Sequence, residues 1–113
     1  MAHDEDLADR IRALIAGEDA VTEQRMFGGL AFLVGGNMAV AASGQGGLLV
    51  RVDPAESEAL LAEPHARRME MRGREMQGWM RVDAEAVGTR EGLEPWVRRG
   101  VDHARSLPPK GPV

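Results

Sequence analysis

Three glycine clusters cut the apolar half of this chain into pieces too short for helices. Gly28-Gly29, Gly35-Gly36-Asn37 and Gly44-Gln45-Gly46-Gly47 leave apolar segments of roughly five or six residues between them, a strand's length, where helices need about ten or more. Met26, Leu30, Phe32 and Val34 recur at period two within a strand-like stretch from Thr22 to Ser43. The glycines at 28 and 29 interrupt it as a bulge or bend. Met38 to Ser43 returns as a second strand, and Leu48-Leu49-Val50-Arg51-Val52 follows as a third, with Leu48, Val50 and Val52 on one side. Turns this tight between short strands predict an antiparallel meander.

Helices flank the meander. Leu7, Ile11, Leu14 and Ile15 form one apolar stripe in Asp4–Ala16, with Asp4, Glu5 and Asp6 at the helix start, where its dipole favours negative charge, and Gly17 as a stop. After the third strand, Asp53-Pro54-Ala55-Glu56 reads as a cap, a proline at the first helical position and an acid at the third. That helix should bury Leu60 and Leu61 and end by Glu63, before Pro64.

A second hairpin comes next. Met69 and Met71 alternate with Arg68, Glu70 and Arg72; Gly73-Arg74 turns; then Met76, Gly78, Met80 and Val82 oppose Gln77, Trp79 and Arg81. Asp83–Val87 adds a helical turn. A last helix, started near Gly92 to keep Pro95 in its first turn, carries Leu93, Trp96, Val97, Gly100, Val101 and Ala104 on one face to Ser106. Residues 108–113 read as a loose tail. The order α-β-β-β-α-β-β-α predicts a two-layer α+β domain, an antiparallel sheet with helices on one face, and its length suits a single domain.

Composition excludes several chemistries. There is no cysteine, hence no disulfide, thiolate nucleophile or cysteine zinc site. No lysine follows a glycine pair, so there is no Walker loop, and Gly44-Gln45-Gly46 leads into a strand, not a dinucleotide-binding helix. Ser43, Ser57 and Ser106 lack a nucleophile-elbow context. His3, His65 and His103 are far apart and lack ligand spacing on one helix face, so no metal site and no cofactor are expected. Asp53 and Asp83 read as caps more readily than as catalytic carboxylates. The acidic opening residues and broken apolar runs suit neither a secretory signal nor a membrane span, and a cytoplasmic location is expected.

The segment Arg25-Met26-Phe27-Gly28-Gly29-Leu30-Ala31-Phe32 resembles the opening signature of the TfoX/Sxy N-terminal domain family. Gly36-Asn37-Met38-Ala39, Leu48–Asp53, Met69–Arg74 with Gly78–Val82, and Trp96-Val97 with Ala104–Pro108 match its later elements in order, over about residues 7–109. The resemblance implies an α-β(3)-α-β(2)-α fold similar to secretion chaperones. It also implies membership in a family named for competence regulators that work with a transcription factor at promoters. The second, helical domain of the regulator form has no counterpart in these 113 residues.

The net charge of −4 divides unevenly. Residues 1–66 hold 4 basic and 11 acidic residues, and residues 67–113 hold 10 and 7. The basic half centres on the second hairpin, where Arg68, Arg72, Trp79 and Arg81, joined by Arg51, are expected on one sheet face opposite the methionines. Arginines around a tryptophan suit a protein interface, a nucleic acid or a solvated face with cross-strand pairs. Phe27, Ala31, Leu33, Ala39, Ala41 and Leu49 fall on that same outer side, too apolar a surface for water. A covering layer is therefore expected, most simply a second copy of the chain. The best-supported functional expectation is a non-enzymatic module that binds a protein partner in transcriptional regulation, with nucleic-acid binding as the alternative.

Overall fold

Ten elements follow one another in this computed structural model, which describes residues 5–26, 28–44, 46–71 and 73–108, without the side chains of 71 and 75–77. They are α1 (Glu5–Leu14), β1 (Val21–Met26), β2 (Gly29–Val34), β3 (Asn37–Ala42), β4 (Leu48–Arg51), α2 (Pro54–Leu60), β5 (Ala66–Met71), β6 (Arg74–Val82), a 3-10 turn (Ala84–Val87) and α3 (Arg90–Ser106). The strands form one antiparallel sheet in the order β1-β2-β3-β4-β6-β5. The α+β class read from the sequence holds, with six strands in place of five.

The extra strand comes from Gly28-Gly29, which makes a hairpin turn and not a bulge. Gly28 takes φ +73°, and β1 then pairs back along β2, Met26 opposite Gly29. Gly29 has no room for a side chain. A Cβ there would lie 2.1 Å from the Ala42 carbonyl oxygen and 2.9 Å from the Gly44 nitrogen. The fold-back also corrects the reading of Met26, which packs on the outer cluster while Leu30, Phe32 and Val34 lie in the inner one.

The inner core lies between sheet and helices. Leu7, Ala8, Ile11 and Ile15 of α1 and its following turn meet Phe32, Val34, Val40, Val50, Met80 and Val82 of the sheet, with Leu93, Trp96, Val97, Val101 and Ala104 of α3. Leu60 and Leu61 at the end of α2 pack against the same cluster. Asp53 caps α2 as its position predicts, accepting from the Ala55 N–H at 2.9 Å. Helix α3 starts at Arg90, not near Gly92. Thr89 caps it, its hydroxyl oxygen accepting from the Gly92 N–H at 3.1 Å, and Pro95 sits inside the helix. The cap and the burial of Leu93 and Trp96 outweigh the single backbone bond that the proline removes.

Two bulges decide which side chains face which way. Between β2 and β3, Phe32 pairs with Val40 but Leu33 with Met38, so Ala39 is the extra residue. It turns Met38 to the outer cluster and Ala39 to the inner one, reversing strict alternation. Between β5 and β6, Arg68 pairs with Met80 but Met69 with Met76. Gly78 in that gap takes φ +82°, and its carbonyl accepts from the Val52 N–H at 2.8 Å.

Polar ties close the periphery. Arg12 of α1 binds both carboxylate oxygens of Glu23 on β1, at 2.6 and 2.8 Å, with its guanidinium 5.9 Å from the centre of the Phe32 ring. Arg105 donates to Glu18 at 2.9 and 3.0 Å, and Arg98 to the same carboxylate at 3.4 Å, which pins the segment between α1 and β1 to α3. Buried Asn37 donates its amide to the Pro108 carbonyl at 3.0 Å. The rest of the expected tail, 109–113, lies outside the described residues.

Two outcomes follow. Helix α3 crosses β3 at backbone contact, since a Cβ on Gly100 would stand 2.4 Å from the Ala39 carbonyl oxygen and 2.8 Å from Val40 Cγ1. Gly100→Ala is expected to cost about 3 kcal/mol in chemical denaturation. Gly17→Ala, with open space around it, should stay within about 0.5 kcal/mol of wild type. The second outcome concerns acid. Hydrogen bonds from Arg105, then its charge and that of Arg98, hold the Glu18 carboxyl below its ordinary 4.5. A depressed folded pKa gives stability that is present above the unfolded value and lost as pH falls through the folded one. Wild type should therefore lose melting temperature below about pH 4.5 more steeply than Glu18→Gln.

Candidate functional site

The sheet face away from the helices carries a row of residues across all six strands. Gln24, Ala31, Ala41, Leu49, Arg81 and Arg67 are successive register partners from β1 to β5. The row is polar at one edge, apolar in the middle and doubly basic at the other edge. Its middle joins Met38 and Met69 in a second buried cluster, with Met26, Leu33 and Trp79 packed around it. Ala31, Ala41 and Leu49 are almost wholly buried within a single chain. Among the described residues, Met26, Leu33, Met38, Met69 and Trp79 pack around them within one chain.

Trp79 is the half-exposed end of this cluster. It pairs across the strands with Arg51, whose guanidinium lies 5.5 Å from the ring centre, within cation–π range. Arg81 is held from below. It donates to the Ser43 hydroxyl at 3.2 Å and to the Gly46 carbonyl at 3.4 Å. Burial, followed by the charge of neighbouring Arg67, holds its pKa below the ordinary arginine value. Arg67 in turn pairs with Asp83, which partly neutralises the basic edge.

The structure brings three of the five predicted surface residues together: Arg51, Trp79 and Arg81. Arg68 is a correction. The bulge pairs it with Met80, whose side chain is in the inner core, so Arg67 takes the expected place beside Arg81. Met69 is a second correction, lying with Trp79 and not opposite it. Arg72 and Phe27 lie outside the described residues. Of the Arg25-Met26-Phe27-Gly28-Gly29 motif, Arg25 is exposed on edge strand β1, Met26 packs on the outer cluster, and Gly28 and Gly29 form the β1–β2 turn. Met26, Gly28 and Gly29 thus serve the fold at the start of the sheet.

Two shallow depressions lie on the helix side. One, of about 190 Å³, is lined by Arg10, Ala13, Leu14, Arg90 and Leu93. The other, of about 290 Å³, is lined by Asp53, Glu56, Arg99, Asp102, His103 and Ser106. Asp53 is occupied there by its cap, and Arg99 by stacking on Trp96 at 4.6 Å. Among the described residues no helix is long and apolar enough to cross a membrane.

Fold and face define a class: a small α+β domain with helices on one side of an antiparallel sheet and a second apolar cluster, rimmed by arginines, on the other. The family model described as the TfoX N-terminal domain matches residues 13–104, and the chain belongs to that family. A comparison with curated proteins gives no match.

Trp79→Ala would remove a ring packed on the outer cluster. It should cost about 2 kcal/mol, less than the full burial value because the ring is half-exposed, whereas Arg51→Ala should cost less than about 1 kcal/mol. Denaturation followed by far-UV circular dichroism measures both.

Proposed function

We propose that this chain is a non-enzymatic, protein-binding module in transcriptional regulation, and that it docks its partner on the outer sheet face. The observation that carries the reading is Trp79. A half-exposed tryptophan, anchored on a rigid sheet beside an apolar cluster and flanked by Arg51 and Arg81, has the composition of an interface hot spot. Membership in the TfoX N-terminal domain family supports the regulatory setting. The partner class is a protein such as a transcription factor, and its contacts would be acidic and apolar to complement this face.

The placement of Arg51 and Arg81 beside Trp79 supports a second reading, single-stranded nucleic acid held by phosphate contacts and base stacking. The two differ in salt response. Phosphate contacts weaken steeply as salt rises, while an interface centred on a buried tryptophan weakens far less.

Affinity capture from the native cell, with wild type against Arg51→Glu and Trp79→Phe, tests the first reading. Loss of a specific captured protein with the charge reversal, and weakening with the smaller ring, are the expected results. Undiminished capture by both folded variants overturns this surface. Titration of a fluorescent oligonucleotide at two salt concentrations tests the second, and no binding at low salt ends it.

A further inference from the structure

We infer that His65, Asp83 and Glu85 form a divalent metal site at the β5–β6 end of the sheet. His65 lies 18 and 20 positions before the two acids, and strand pairing brings it to them. Ala66 pairs with Val82, and the Asp83 N–H donates to the His65 carbonyl at 3.0 Å, which sets the two side chains next to each other where the strands end. The 3-10 turn that follows brings Glu85 alongside. His65 Nδ1 lies 3.3 Å from Glu85 Oε1 and 3.6 Å from Asp83 Oδ2, and the three donor atoms lie within 4.8 Å of one another.

The two distances from His65 Nδ1 suit a shared ion. Donors about 2.1 Å from a common zinc-like cation stand about 3.0 Å apart at right angles and about 3.4 Å apart at the tetrahedral angle. The donor set is one imidazole nitrogen and two carboxylate oxygens. It favours a first-row divalent ion such as Zn²⁺ or Mn²⁺ over Ca²⁺ or Mg²⁺, which prefer oxygen alone. Both carboxylates would face the ion, and the half-exposed position leaves room for water to complete its coordination.

Two features orient the group. Asp83 occupies the cap position of the 3-10 turn but makes no side-chain cap bond. Its Oδ1 is instead held by Arg67, which leaves Oδ2 for the cluster. Such outer contacts fix a ligand's direction. His65 has φ +65°, a left-handed conformation uncommon outside glycine and asparagine. The rival use of the same geometry is a protonated His65 paired with the two acids, without an ion.

The test is calorimetric titration of the chelator-stripped full chain with Zn²⁺ and, separately, Mn²⁺, beside His65→Gly, Glu85→Gln and His103→Ala. Glycine accepts the positive φ at position 65, and Glu85 is exposed, so both site variants should fold. The expected result is one ion per chain, bound at least about tenfold more weakly by each site variant and unchanged in His103→Ala. Mn²⁺ should broaden the amide resonances of residues 65–66 and 83–85 first. No binding up to about 1 mM ion, the weak end of specific cation sites, overturns the site and leaves the ion-pair reading. Binding that ignores both site variants overturns it as well.

Discussion

The central strand β3 has water on neither side, and the architecture follows from that constraint. Every residue from Asn37 to Ala42 is buried. A strand buried on both faces needs an apolar layer above and below it. Above, α3 crosses so closely that Gly100 meets the Ala39 carbonyl. Below, Met38 and Ala41 join Leu49 and Met69 under the rim of Trp79. Small residues at 39, 41 and 42 allow both layers to approach. The outer cluster is thus a second core, thinner than the first and roofed by side chains instead of helices. A flexible thioether fills irregular space well, which accounts for methionine in such a roof.

The positive half of the chain looks different once folded. Arg98 and Arg105 serve Glu18, Arg99 stacks on Trp96, Arg90 reaches Glu94 and Arg67 serves Asp83. Five of the ten basic residues in 67–113 are thus engaged in local ties around α3 and the sheet edge. What remains gathered is small and specific: Arg51 and Arg81 beside one tryptophan. Such a patch suits selective contact better than a general electrostatic footprint, since bulk attraction to phosphate grows with the number of clustered charges.

Much of the fold was legible because local chemistry and burial agreed. The stripe Leu7, Ile11, Ile15 found the core, Asp53 capped α2, and the glycines at 35–36 and 46–47 lie between paired strands where turns were expected. The errors in assigning side chains of β3 and β5 to a face have one cause in common. Period-two reasoning assumes unbroken register, and a one-residue slip exchanges the faces. The bulge at Ala39 moved Met38 outward, and the bulge at Gly78 took Arg68 away from Trp79 and put Met69 beside it. Neither bulge has a local signature strong enough to separate it from an ordinary strand residue. The nearness of His65 to Asp83 and Glu85 was hidden for a different reason. The two acids are 18 and 20 positions away, and only the β5–β6 pairing joins them. By contrast, Arg51, Trp79 and Arg81 were legible because β4 and the end of β6 keep strict alternation.

The two outermost strands bear on how the sheet meets its own kind. In β1 the four residues Thr22, Glu23, Gln24 and Arg25 are all exposed, and Glu23 is already engaged by Arg12. At the other margin β5 carries two consecutive arginines just before its pairing with β6 shifts register. Charge and irregularity at a margin discourage another extended chain from adding itself there. Six strands are therefore a natural stopping point, and the molecule is guarded at its sides against the ribbon-like association to which open sheets are prone.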